Sequence, residues 1–256
     1  MRTGGLRALV QREGPKHGAC IMEFATPGIG HILKAGGAEF CFLDMEHSGF
    51  DLGEVKRVLR YLEAAELPTF VRPPSKAYHH IAGVLDAGAE GLLLPMVGSV
   101  EEMEGIVRSM KYVPEGGRGV ALGIAHDRYA PGPVLDKLAR ANRETVCIAL
   151  IETRAGVENV EAIAAVPGVD VLWIGHFDLS CSLGHPGDFA HPSFTAAVER
   201  VRRAALSQGR GLGRLVGSVE EGLKLQNEGV DWICLQTDID LLRGALTAGI
   251  AQLKEG

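Results

Sequence analysis

Residues 146–180, VCIALIETRAGVENVEAIAAVPGVDVLWIGHFDLS, constrain the fold of this chain more than any other stretch. Two short apolar runs, VCIALI and VDVLWI, read as buried strands. Between them, apolar residues at 157, 160, 163 and 164 mark a helix over roughly 154–166, closed by Pro167-Gly168. Each strand runs out into a carboxylate, Glu152 after the first and Asp178 just past Gly175 after the second. Parallel α/β sheets collect ligands at the carboxyl ends of their strands. Two acids delivered there by neighbouring strands can share one divalent cation, a hard-oxygen arrangement suited to magnesium or manganese. The plainer alternative is that both acids cap the helices that follow them, Asp being a favoured N-cap residue.

The same alternation occupies nearly all of the chain. Strands are expected at 18–24, 39–45, 67–72, 90–97, 209–216 and 230–236 besides the central two, each followed by a helical pattern. The least regular part, 114–133, carries five glycines, and a loop that long inside a compact domain is usually functional or mobile. With no linker or low-complexity segment, 1–256 reads as one domain, a (β/α)8 TIM barrel, with an open doubly wound sheet as the alternative. The length of 256 residues suits a barrel, which typically needs about 250.

Composition removes several classes of function. A net charge of −6 argues against a nucleic-acid partner, and no apolar run approaches the ~20 residues of a membrane span. The amino-terminal apolar stretch is too short for a signal peptide, so a cytoplasmic protein is expected. Cys20, Cys41, Cys147 and Cys234 lie in apolar runs and no CxxC pair occurs, as expected of buried, reduced thiols.

Polar groups recur where the expected strands end: Glu23, Asp44, Glu46, His47, Arg72, Pro95, Glu152, Asp178, Arg214 and Gln236. Asp44 and His47 stand three residues apart across a strand-to-loop turn. A hydrogen bond between them would fix the imidazole tautomer for general-base work, or the histidine is merely tied to a nearby acid. Arg72, stiffened by two prolines, can fork onto a substrate oxyanion or only pair with a rim acid. All eight lysines fall outside the expected strands, which disfavours a Schiff-base lysine. Ser48 lacks a nucleophile elbow, and no phosphate-binding glycine motif follows a strand. Carbonyl chemistry assisted by a metal remains.

Taken together, FCFLDMEHSGFD, VRPP, AGAEGLLLPMV, YVPEGGRGV, IETRAGVENVEAIAAVPGVDVLWIG and DLSCSLGHPGDFAHP resemble the HpcH/HpaI class II pyruvate aldolases, from about residue 18 to 246. The resemblance implies a hexamer built as a trimer of dimers, with the last helix packed on a neighbouring subunit. It implies a divalent metal (magnesium, manganese or cobalt) on Glu152 and Asp178, chelated by pyruvate or a related 2-oxo acid. Arg72 would stabilise the enolate oxygen, and His47, oriented by Asp44, would act as base and acid through a metal-bound water. The turn at Gly175, with the backbone N–H groups of Phe177 and Asp178, would hold the substrate carboxylate, and Asp86 would face the adjacent subunit's site.

The expected reaction is therefore reversible cleavage of a 4-hydroxy-2-oxo acid into a 2-oxo acid and an aldehyde. The alternatives are decarboxylation of oxaloacetate or macrophomate-synthase-like chemistry, a CoA-ester lyase, and a non-catalytic barrel that binds an oxo acid. Three departures bear on substrate choice: Leu150 where family members usually carry Gln, His176-Phe177 beside Asp178, and His126, Asp127 and Arg128 in a loop expected on the acceptor side.

Overall fold

The apolar runs become eight parallel strands that close on one another in chain order, so the barrel expected from the sequence is the one observed. The computed structural model describes residues 5–255. Its strands are β1 (Lys16–Ile21), β2 (Phe40–Asp44), β3 (Thr69–Arg72), β4 (Gly91–Leu94), β5 (Val146–Ile151), β6 (Val171–Ile174), β7 (Gly211–Val216) and β8 (Trp232–Thr237). A short helix, α1 (Leu6–Gln11), precedes them. Around the barrel follow α2 (Ile29–Ala35), α3 (Leu52–Ala64), α4 (Tyr78–Asp86), α5 (Val100–Met110), α6 (Val134–Glu144), α7 (Arg154–Glu158), α8 (Val160–Ala165), α9 (His176–Ser182), α10 (Pro192–Ser207), α11 (Val219–Asn227) and α12 (Asp238–Glu255).

Strand alternation divides the apolar residues between two layers. Phe40, Phe42, Phe70, Leu150, Trp173 and Trp232 point inward and fill the barrel. Leu43, Val71, Ile151, Leu172 and Ile174 point outward, against the helices. Phe42 and Phe70 stack at 5.2 Å between ring centroids, and Trp173 meets Phe70 edge-on at 5.4 Å. Gly213 makes room for that indole, since a Cβ there would lie 2.1 Å from a Trp173 ring carbon. Where β8 meets β1 the register shifts between Gly18 and Cys20. The buried Asp238 carboxylate closes this seam by accepting the amides of Met22, Glu23 and Phe24 at 2.8–3.1 Å.

Two departures from the sequence reading concern a lysine and a helix. β1 begins at Lys16 rather than Gly18, so one lysine does lie in a strand. Its ammonium is buried against Asp231 at 2.6 Å, at the amino end of the barrel and away from the rim where Schiff-base chemistry would need it. The helix expected over 154–166 is two short helices that meet at Asn159, whose amide donates to Gly98 and Ala155 carbonyls. The cysteines are all free; Cys20, Cys41, Cys147 and Cys234 are buried and Cys181 is exposed. Among the described residues no helix is long and apolar enough to cross a membrane.

Candidate active site

The inward parity that fills the barrel continues to its carboxyl-end rim. Two residues past Phe42 comes Asp44, two past Phe70 comes Arg72, two past Leu150 comes Glu152, and two past Trp173 comes Gly175. Asp44 and Arg72 are register partners across β2 and β3, so their side chains meet. Arg72 Nε and Nη2 donate to the two Asp44 carboxylate oxygens at 2.7 and 2.6 Å, and Nη1 lies 3.1 Å from Glu46. The guanidinium also lies 5.5 Å over the Phe42 ring. Burial alone would make Arg72 easier to deprotonate, but the Asp44 hydrogen bonds together with the charges of Asp44, Glu46 and Glu152 outweigh it and hold the charge more firmly than usual.

This clamp corrects one expectation. Asp44 does not orient His47, because its carboxylate is turned into the barrel and spent on Arg72 and on the Glu46 amide at 3.0 Å. His47 sits on the turn beyond, exposed, and its nearest acid is Glu46, with Nε2 4.0 Å from the carboxylate. Ser48 donates its hydroxyl to the Asp44 carbonyl at 2.6 Å, a turn-forming bond that leaves it no nucleophilic role.

Glu152 is only 2% exposed, and its Oε1 accepts the Met96 amide at 2.7 Å. Its other oxygen occupies the space that a side chain at Gly175 would need, since a Cβ there would fall 2.5 Å from Oε2. Burial, with the charges of Asp178 and Glu46, pushes the Glu152 carboxyl up to about 7. Asp178 likewise acts on Glu46, which burial raises, so the three carboxylates share one electrostatic neighbourhood. Neither Glu152 nor Asp178 is a cap. Thr153 caps α7 by accepting the Gly156 amide at 3.0 Å, and α9 begins at His176, placing Asp178 inside its first turn with no side-chain cap bond.

Among the described residues no group of three or more His, Cys, Asp or Glu side chains is arranged to hold a metal by itself. The donor set nevertheless fits a hard divalent cation. Such ions take carboxylate oxygens and commonly keep several positions for water or ligand oxygens. Here Glu152 and Asp178 lie near enough to act on each other's charge, with Glu46 beside them, and burial first and these neighbouring charges after it drive Glu152 toward its neutral form.

Other residues singled out in the sequence lie elsewhere. Asp86 ends α4 on the side away from this rim, ion-paired with Arg118. The loop with His126, Asp127 and Arg128 also corrects an expectation, because it packs at the amino ends of the strands rather than on the acceptor side. It lines a cavity of about 850 Å³ together with Leu67, Glu90 and Thr145. Its polar groups are engaged there: Asp127 with Lys137 at 2.6 Å, His126 Nε2 with the Ala121 carbonyl at 2.6 Å, and Arg128 with Glu63 at 3.3 Å. Arg214 points outward from β7 to Glu221 at 2.9 Å. His176 packs against Phe177 and Phe189, and burial with the nearby Arg214 charge lowers it to about 4, so it stays neutral near neutral pH. Phe177 is exposed beside it, and Leu150 lies buried in the barrel one layer beneath Glu152.

Comparison with known proteins places this geometry in context. The family described as HpcH/HpaI aldolase/citrate lyase matches residues 23–243. A hydroxypyruvate/pyruvate aldolase of Chromohalobacter salexigens is 33% identical over 243 residues, covering 94% of this chain and 95% of its own. A 5-keto-4-deoxy-D-glucarate aldolase of Shigella boydii is 31% identical over 226 residues, covering 88% and 87%. The crystal structure of an HpcH/HpaI aldolase from Desulfitobacterium hafniense superposes with a TM-score of 0.92 at 29% identity, covering 99% of this chain and 98% of that one.

Proposed function

Because this chain belongs to the HpcH/HpaI aldolase/citrate lyase family, we propose that it is a carbon–carbon lyase that reversibly cleaves 4-hydroxy-2-oxo acids. Its products would be pyruvate, or a related 2-oxo acid, and an aldehyde. The observation that carries this reading is Glu152: a carboxyl buried inside the barrel mouth, beside Asp178 and across from the Asp44–Arg72 clamp.

The residues that would hold a divalent cation (magnesium, manganese or cobalt) are Glu152 and Asp178. When bound, the cation would serve as a Lewis acid that draws charge from the 2-oxo oxygen. Arg72 would face the same developing charge. Its bonds to Asp44 and Glu46 leave N–H groups on Nη1 and Nη2 for an oxyanion, and the clamp holds the fork in place before substrate arrives. His47, at the rim and near Glu46, would take the proton of the 4-hydroxyl group. The Gly175 turn leads into the first-turn amides of Phe177 and Asp178, which a helix start leaves without intrahelical partners and which would receive the substrate carboxylate.

The proposed assembly is a homo-hexamer, a trimer of dimers in which a neighbouring subunit covers α12. In support, Leu242, Leu246 and Leu253 are 56%, 61% and 80% exposed. Among the described residues of that helix Asp238 alone is buried. Asp86, remote from its own rim, would then serve the neighbour's site.

Glu152→Ala tests the reaction. With Mg2+ or Mn2+ present, pyruvate release from a 4-hydroxy-2-oxo acid should fall by at least about 100-fold, the scale of losing one main electrostatic group. Release at the unaltered rate would reject the assignment. Carbon dioxide in place of an aldehyde product would move the chemistry to decarboxylation.

A further inference from the structure

Met96 follows β4 at the rim in an unexpected conformation. Its φ is +54°, the left-handed region that a side-chain-bearing residue adopts only at a cost. Packing does not impose it, since the Met96 side chain is 48% exposed. What holds it is the pair of peptide groups flanking its Cα. The Met96 amide donates to Glu152 Oε1 at 2.7 Å, and its carbonyl accepts from Lys76 Nζ at 2.6 Å. Lys76 is itself ion-paired with Glu102 in the first turn of α5. The second Glu102 oxygen takes the Gly98 amide at 2.8 Å. An unbroken line of polar contacts therefore runs from Glu102 through Lys76 and the Met96 backbone to Glu152.

We propose that Lys76 is a positioning residue: by holding the Met96 carbonyl it keeps the Met96 amide aimed at Glu152 Oε1, which leaves Oε2, on the Gly175 side, set for a cation shared with Asp178. The inference rests on the reading of Glu152 as a cation ligand. Its sign sets it apart from a plain charge effect. An ammonium near a cation site repels the cation, so removing it should tighten binding if charge were all it contributed. Removing a positioning contact should weaken binding instead, by roughly tenfold or more for groups that orient a metal ligand.

The test is titration of full-length protein with Mn2+ alone, without substrate, followed by calorimetry. Lys76→Met should raise the Mn2+ Kd about tenfold, and Lys76→Arg, which keeps a donor at the Met96 carbonyl, should restore most of the affinity. Should Lys76→Met fold poorly, Glu102→Gln provides a second variant that frees the lysine, with a smaller weakening expected. A crystal structure of Lys76→Met should show Met96 out of the left-handed region and Glu152 Oε1 without its amide. Unchanged or tighter Mn2+ binding by Lys76→Met would overturn the inference while leaving the site assignment standing. Failure of the unaltered protein to bind Mn2+ would overturn both.

Discussion

Burial first, and the charges of Asp178 and Glu46 after it, place the Glu152 carboxyl at about 7, against about 4.3 for an unfolded glutamate. Between those values the folded chain keeps a proton that the unfolded chain has released. Stability from this group is therefore greatest at low pH and is lost as pH rises through that window. Above pH 7 the full penalty, roughly 4 kcal/mol, stands. Glu152→Gln removes it, so in chelator the melting temperature of this variant should fall less than that of the unaltered protein between about pH 5 and pH 8. Parallel curves would show that Glu152 is not held near neutrality. The rim positions of Glu152 and Arg72 are legible in the sequence because each stands two residues past an inward-facing apolar residue of its strand, whereas Asp178 lies beyond β6 in the first turn of α9 and follows from no strand parity. The Asp44–His47 spacing misled because it reports nearness along the chain and not the direction of a side chain. Met96 left no mark at all, since it acts through its backbone and a left-handed methionine looks like any other methionine.

Strands and helices owe their placement to the two-sided burial of the apolar runs, and most boundaries agree with the spacing of those residues to within two positions. β1 was read two residues late because a lysine begins it, and hydropathy assigns a lysine to solvent. Its burial depends on Asp231, 215 residues away in sequence, which no local pattern reveals. The helix after β5 was read as continuous because its apolar spacing runs through the break at Asn159. Small residues inside strands carried information of another kind. Gly213 faces the Trp173 ring, so Gly213→Ala should force the indole or β7 to shift and destabilise the barrel by about 2 kcal/mol. A drop in the denaturant midpoint at constant slope would check this, and an unchanged midpoint would show that the barrel interior has slack.

At the scale of the whole molecule, α12 exposes Leu242, Leu246, Ile250 and Leu253 among the described residues. Leu246→Glu would set a charge in the interface proposed there, and sedimentation velocity should show the assembly broken into smaller species. An unaltered sedimentation coefficient would place the interface elsewhere. The barrel and its polar rim could be read from one chain. The role proposed for Asp86 could not, because the proposal requires a neighbouring subunit, and within this chain Asp86 is paired with Arg118 away from the rim. Exchange of the pyruvate methyl protons in deuterated buffer, followed by NMR, tests the central claim most directly. The site described here predicts exchange with Mg2+ or Mn2+ that stops on chelation and in Glu152→Ala. Exchange that persists without the cation, or none with it, would contradict the account.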